Sequence, residues 1–487
     1  MRAGDVESDA DRSDTVGGQG RPDRLTDALS LAGRRDRRRR ASRNVFSPAD
    51  CIADMTLDLD LDVRAVGDLR PAEREALFER DAGVAEIRSD VRDIVTRVRD
   101  EGDVAVRDFS REFDGVEVGN IDVTDQAERA VEEVDDRVLD AIRTAIDNVR
   151  SFHERQVPED WCVEEEGREL GRRFRPIERV GVYVPGGAAA YPSSAIMGVV
   201  PAVVAGVEHV AVATPPADEM NPVTLAAIHE AGADRVYAIG GAQAVAALAY
   251  GTDTVNRVQK VVGPGNRWVT AAKAEVRGEV EIDFLAGPSE VLVLADDSAR
   301  AEYVAADLLA QAEHDPNASV VCVTDSERVA EAVVEAVGEH LPARERSGVA
   351  QEAVENDASG VFLARSMPEA VLFAEEYAAE HLSIQAADDE ALLDRVSNAG
   401  SVFLGPYTPV AAGDYASGTN HVLPTGGGAR LHGGLSVDTF LRSSTVQRLS
   451  KEALSDLSET ITTLAEAEGL EAHAESVRAR LDDGDGN

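Results

Sequence analysis

The chain has 487 residues, 43% hydrophobic and only 4% aromatic, with 91 acidic against 49 basic residues and a net charge of −42. That length suits about two to four domains around an aliphatic core, and the acidity argues against nucleic acid or an anionic membrane as partner. Lysine occurs only at Lys260, Lys273 and Lys451. Uniform acidity with so little lysine reads as adaptation to high internal salt, an ordinary acidic cytosolic protein being the alternative. Cys51, Cys162 and Cys322 form no CxxC pair, which fits a reducing compartment and argues against a disulfide framework or a thiolate zinc site. The longest apolar run, near Ile196–Val207, is too short to span a bilayer and contains Pro201. No secretory signal is visible, so a cytoplasmic protein is expected.

Residues 1–54 mix Asp, Ser, Gly and Arg without periodicity and include an arginine-rich run at 34–40. They read as a disordered or non-native tail rather than a basic arm, with Met55 as an alternative start. From Pro71 to Val157 the pattern is helical, with Val91, Ile94, Val95 and Val98 recurring at three- and four-residue steps. Strands and helices then alternate. Strands are expected at Val180–Val184, His209–Thr214, Arg235–Ile239, Gln259–Val262 and Glu290–Ala295, separated by helices Ser193–Val207, Pro222–Ala231, Ala242–Tyr250 and Arg267–Arg277. The rhythm resumes with helix Ala299–Glu313, strand Ser319–Thr324, helix Ser326–His340, strand Gly360–Leu363, helix Met367–Ala379 and strand Leu382–Gln385. After Val402–Leu404 a Gly-rich stretch runs to Gly434, and a helical tail starts near Lys451. This βαβα order predicts parallel sheets covered by helices, in two similar units.

Three strand ends run into glycine turns that open helices: Tyr183 to Gly187, Gly240–Gly241 before Gln243, and Gly263 to Asn266. Glycine lets backbone N–H groups approach a ligand, and a helix N-terminus favours an anion. Three such turns in one unit point to a nucleotide site beside Tyr183, Gln243 and Asn266, at the carboxyl ends of the strands. No GxGxxG with an acidic ribose ligand follows, so ordinary dinucleotide recognition is not expected.

Five polar clusters hold four of the nine histidines: Gln311 with His314, Glu380 with His381, Asp414 with its neighbours Gly413 and Tyr415, Asn420 with His421, and Glu468 with His473. Gln311 and His314, three apart, share a helix face. Glu468 and His473 would point the same way only if a helix ends at Gly469. Gln, His, Asp, Glu and His together make a mixed oxygen and nitrogen set suited to a divalent metal such as zinc. Glu380 and His381 have the chemistry of an acid–base pair. Ser289, in Gly287-Pro-Ser-Glu, is either part of a turn or a substrate-binding hydroxyl at a strand's mouth.

The runs Tyr183-Val-Pro-Gly-Gly with Tyr191-Pro-Ser-Ser, Gly240-Gly-Ala-Gln-Ala, Val262-Gly-Pro-Gly-Asn, Ala286-Gly-Pro-Ser-Glu, Gln311-Ala-Glu-His, Glu380-His-Leu, Gly413-Asp-Tyr-Ala-Ser-Gly-Thr-Asn-His-Val-Leu-Pro-Thr and Glu468-Gly-Leu-Glu-Ala-His resemble histidinol dehydrogenase, from roughly Leu57 to Leu481. One departure is Met197-Gly198, where that family usually has a larger polar residue. The resemblance implies two Rossmann-like parallel α/β domains with small helical N- and C-terminal extensions in an intertwined homodimer. It implies these parts: the tail 1–54; a helical N-terminal region 55–180; an NAD-binding domain 181–288; a second α/β domain 289–434 with zinc and catalytic residues; and a helical tail 435–487 reaching the partner subunit's site.

By the same resemblance the zinc ligands are Gln311, His314, Asp414 and His473. The substrate, L-histidinol, lies against Ser289, Gln311, His314, His381, Asp414, Glu468 and His473, and NAD contacts Tyr183, Gln243 and Asn266. The implied activity is two-step oxidation of L-histidinol to L-histidine with two NAD, the last step of histidine biosynthesis. His381 takes protons in both steps and Glu380 activates water on the aldehyde. The resemblance gives Asn420 and His421 no direct role. Rival readings are a related zinc and NAD dehydrogenase for another small polyol, and a non-catalytic zinc-binding scaffold.

Overall fold

The computed structural model describes residues 59–482 apart from 79, 81, 82 and 187–189. The N-terminal tail, Met55 as a start, Cys51 and Gly187 of the first glycine turn lie outside the described residues. The described chain opens with β1 (Val63–Ala65) and helices Pro71–Phe78, Val84–Glu101, Asp103–Phe109, Thr124–Ala130 and Asp136–Glu154. In Val84–Glu101, Ile87, Val91, Ile94, Val95 and Val98 form one apolar stripe. It is buried against helices Gly241–Tyr250 and Arg267–Val276, and Arg92 pairs across that seam with Glu275 at 2.9 Å.

A hairpin follows, β2 (Trp161–Glu165) and β3 (Arg168–Pro176), turning at Glu166 and Gly167 with φ of 52° and 77°. Two successive positive φ values are the mark of a type I′ turn, whose twist suits a hairpin. The first parallel sheet comprises β4 (Arg179–Tyr183), β5 (His209–Thr214), β6 (Arg235–Ala238), β7 (Lys260–Val262) and β8 (Glu281–Ile282), in the order β6-β5-β4-β7-β8. The second comprises β9 (Glu290–Ala295), β10 (Ser319–Thr324), β11 (Gly360–Leu363), β12 (His381–Gln385) and β13 (Ser401–Leu404), ordered β1-β11-β10-β9-β12-β13. Leaving β1 aside, both sheets have a 3-2-1-4-5 order, so each has a switch point between its first and fourth strands. β9, β10 and β12 are buried at every residue, as strands covered on both faces must be.

Only seven residues separate Ile282 from Glu290, a span of at most about 25 Å. The carboxyl edge of the first sheet is thereby tied to the amino edge of the second. Thr270 Oγ1 donates to the Ala286 carbonyl at 2.8 Å, and Gly287 N–H to Thr425 Oγ1 at 2.5 Å, pinning the connection. β14 (Leu441–Leu449) then pairs antiparallel with β3 along its whole length, and helices Lys451–Ala467 and Glu471–Leu481 pack on one another.

The parallel strands that the sequence reading expected lie within a residue or so of their bounds, whereas the two-residue β8 was not expected. Three further features differ from the sequence reading. The region expected to be helical up to residue 180 contains β1, which joins the second sheet beside β11, and the hairpin β2–β3. The tail expected to be helical from 435 begins with a nine-residue strand. β1 is only three residues long, and β2 and β14 are exposed at nearly every residue while β3 buries a single glycine, so no apolar alternation marks them. Among the described residues no helix is long and apolar enough to cross a membrane. At the departure Met197-Gly198, a Cβ on Gly198 would stand 2.3 Å from Val182 Cγ1, so packing against β4 leaves space for glycine alone.

Candidate active site

The glycine turns close the carboxyl edge of the first sheet. Tyr183 ends β4, is 3% exposed, and its hydroxyl accepts the Gly241 N–H at 3.1 Å. Burial pushes its phenol up to about 12, so it stays a neutral hydroxyl. Gln243 is buried in the first turn of helix Gly241–Tyr250. Asn266 caps helix Arg267–Val276, its Oδ1 accepting from Trp268 N at 3.0 Å and Val269 N at 3.2 Å. That leaves its amide N–H groups for a ligand. Two helix N-termini therefore stand at the carboxyl edge of the first sheet, an electrostatic setting that favours an anion.

Gly263, at φ 107°, is obligatory in this turn because a Cβ there would stand 2.2 Å from the Tyr183 carbonyl oxygen. Its backbone is clamped at both ends. Lys273 Nζ donates to its carbonyl and to Asp283 Oδ1, each at 2.6 Å, while Asp283 Oδ2 accepts its N–H at 2.8 Å. Lys273 and Asp283 side chains are 4% and 1% exposed. Replacing Lys273 with Met would leave that carboxylate buried without its cation, at an expected cost of about 3–5 kcal/mol. A lowered urea midpoint with unchanged slope measures it; a midpoint equal to that of the unmodified chain refutes it. Sequence reasoning missed this clamp, although Lys273 is one of only three lysines in the chain, which was a usable signal.

No acidic residue was expected beside these turns, yet Asp114 stands there. Its Oδ1 is 3.2 Å from where a Cβ on Gly240 would be, and its Oδ2 is buried without a hydrogen-bond partner. Burial pushes its carboxyl up to about 6.

The second group of residues gathers at the amino edge of the second sheet. Ser289 and Glu290 lead into β9, Glu380 and His381 into β12, while Gln311 lies in the last turn of helix Ala301–Ala312 and His314 in the turn that follows it toward β10. Gln311 is 3% exposed, and its side-chain amide lies 3.3 Å from His314 Nδ1. Asp414, in the short helix Val410–Tyr415, places Oδ1 3.5 Å from His381 Nε2. Burial opposes the charge on Asp414, but the His381, His421 and His314 imidazoles outweigh it and hold the carboxyl below its ordinary range.

Glu380 and His381 are 6% and 4% exposed. Burial, reinforced by the carboxylate of Glu290, pushes the Glu380 carboxyl above its ordinary range. His381 is also held above its ordinary range: burial works against its proton, but Glu380 and Asp414 prevail. Its Nδ1 lies 3.0 Å from the Glu290 carbonyl, which can only accept, so that nitrogen carries the proton in the neutral ring. Nε2 is buried without a hydrogen-bond partner and faces Asp414.

The Asn420–His421 pair gains a structural role. Asn420 Nδ2 donates to the Met197 carbonyl at 2.8 Å, tying this loop to the helix after β4. His421 Nδ1 bonds the Asp414 carbonyl at 2.9 Å. Glu468 and His473 are not brought to this cluster. Both are exposed on either side of Gly469, which breaks the helix at φ 75°. Accordingly, among the described residues no three His, Cys, Asp or Glu side chains form a metal-binding group. Gln311, His314 and Asp414 offer one amide, one imidazole and one carboxylate, a donor set that suits zinc once a further donor arrives.

A model of the histidinol dehydrogenase family matches residues 78–481. Histidinol dehydrogenases of Haloarcula marismortui and Halobacterium salinarum are 72% and 69% identical over 422 and 424 residues, covering 87% of this chain and 100% of each relative. Both relatives are haloarchaeal, in keeping with the high-salt reading of the composition. The crystal structure of histidinol dehydrogenase from Elizabethkingia anophelis is similar with a TM-score of 0.82 and 36% identity, covering 87% of this chain and 98% of that one. Family match, relatives and fold agree: the chain belongs to the histidinol dehydrogenase family.

Proposed function

We propose that this chain is a cytoplasmic, NAD-dependent enzyme that oxidises L-histidinol through the amino aldehyde to L-histidine, the last step of histidine biosynthesis. The observation that carries the reading is His381. Its Nδ1 proton is committed to the Glu290 carbonyl, which leaves Nε2 as the basic atom, buried, without a hydrogen bond and facing Asp414 Oδ1 at 3.5 Å. That atom accepts the substrate hydroxyl proton as hydride leaves for NAD. Glu380, a carboxyl shifted upward by burial beside it, takes a proton from the water that adds to the aldehyde. His381 accepts again as the second hydride departs.

Gln311, His314 and Asp414, with His473 from a second copy, would hold zinc, which supplies a Lewis acid for orienting the substrate's amine and imidazole. Tyr183, Gln243 and Asn266 bind NAD across the facing edge, and Ser289 and Glu468 contact the substrate. The dimer is supported by exposed apolar side chains: Trp161, Val163 and Leu170 share one face of the β14-β3-β2 sheet, Val446 stands on the other, and Leu464 and Leu470 are exposed on the terminal helices.

Protein loaded with zinc in concentrated salt is expected to generate NADH absorbance from L-histidinol. A chelator should abolish the signal and added zinc should restore it. Zinc-loaded, folded protein that makes no NADH from L-histidinol would overturn the reading.

A further inference from the structure

Beneath Glu380 lies a buried ion pair that none of the steps above uses. The side chains of Arg80 and Glu290 are 6% and 2% exposed. The guanidinium grips both carboxylate oxygens, Nε to Oε1 at 2.7 Å and Nη2 to Oε2 at 3.1 Å. It also donates to the Leu77 and Tyr377 carbonyls at 2.6 and 2.9 Å, and lies 3.7 Å above the Tyr377 ring. Glu290 in turn holds the catalytic strand edge. Its Oε1 accepts the Gly426 N–H at 2.7 Å and its Oε2 the Glu380 N–H at 3.4 Å. Its own N–H donates to Glu380 Oε2 at 2.8 Å.

Burying two ions is costly, and apolar side chains of similar volume are commonly as stable. Charge here serves geometry instead. Four donors converge on the Glu290 carboxylate, and only a group with two acceptor oxygens can satisfy all of them.

We propose that Arg80 and Glu290 are positioning residues for the aldehyde-oxidising step, holding the Glu380 carboxyl where it meets water. The proposal rests on the role given to Glu380 above. It predicts a selective defect. The contact of His381 with residue 290 is to the backbone carbonyl and survives a side-chain change. Of the two tethers to Glu380, the one from the backbone N–H to Oε2 survives as well, whereas the one to Glu380 N–H depends on the carboxylate.

The test compares Glu290→Gln, Arg80→Lys and Glu380→Gln in two half-reactions of the zinc-loaded enzyme. One is oxidation of the amino aldehyde with NAD; the other is its reduction with NADH, which reverses the alcohol step and needs no activated water. Glu290→Gln should lower kcat for aldehyde oxidation ~10–100-fold and leave reduction within about threefold, the scale of a displaced supporting shell. Arg80→Lys keeps the charge and folds more readily, and should show the same split. Equal losses in both directions, or none, in a folded variant overturn the proposal while Glu380→Gln still shows the split. If Glu380→Gln itself oxidises the aldehyde normally, the role of Glu380 falls and the proposal falls with it.

Discussion

Replacing His381 with Asn should lower turnover of L-histidinol by roughly 10²- to 10⁴-fold, the range general acid–base groups contribute. The loss should fall on both oxidation steps, because the same Nε2 accepts a proton in each. Asn keeps an N–H for the Glu290 carbonyl, so the start of β12 should stay in register with β9. Removing a buried ring beside Phe403 leaves a void, and the fold should lose stability by an amount typical of such truncation, about 2–3 kcal/mol. The two effects separate in measurement. Thermal melting reports the void, whereas kcat in each half-reaction, assayed well below the melting temperature, reports the missing base. Glu380→Gln gives the contrast, with aldehyde oxidation lost and aldehyde reduction retained. A His381→Asn enzyme that keeps more than about a tenth of normal turnover would remove His381 from the role of base.

Glu380 and His381 were legible in the sequence as a candidate acid–base pair because they bring that chemistry within two adjacent residues, and the structure buries both. Most of the parallel strands were legible too: β9 and β10 are near-continuous apolar runs, as strands covered on both faces require, while β12 reads His-Leu-Ser-Ile-Gln between a helix and a turn. What holds the site together was not legible. Arg80 meets Glu290 across 210 positions and Asn420 meets the Met197 carbonyl across 223, and no local periodicity encodes such pairings. The expectation that ligands gather at carboxyl ends of strands suits Tyr183, Gln243 and Asn266. It does not describe Ser289, Glu380 and His381, which precede or open their strands. The short link from β8 to β9 ties one sheet's carboxyl edge to the other's amino edge. The antiparallel sheet was hidden because its side chains are exposed on both faces, and its one local signal was the Glu166–Gly167 turn.

Glu468 and His473 pose the remaining question of geometry, and mixing subunits answers it. The helices that flank Gly469 pack on each other and, through the first of them, on β14. They form an arm with Leu464 60% and Leu470 43% exposed. An arm that left its own subunit would carry His473 to the second copy, and two-fold symmetry would return the favour. His473→Asn and His381→Asn homodimers should each be inactive, the first through a lost metal ligand and the second through a lost base. Random re-association makes half the dimers mixed. In each mixed dimer one site combines an intact His381 with the intact arm of the other subunit, and the second site carries both substitutions. Activity should therefore recover to about a quarter of the unmodified level under this symmetry. If each arm served its own subunit, every site in a mixed dimer would still carry one substitution and no activity would return. Mixed dimers shown to form by mass and yet inactive would place His473 in its own subunit's site.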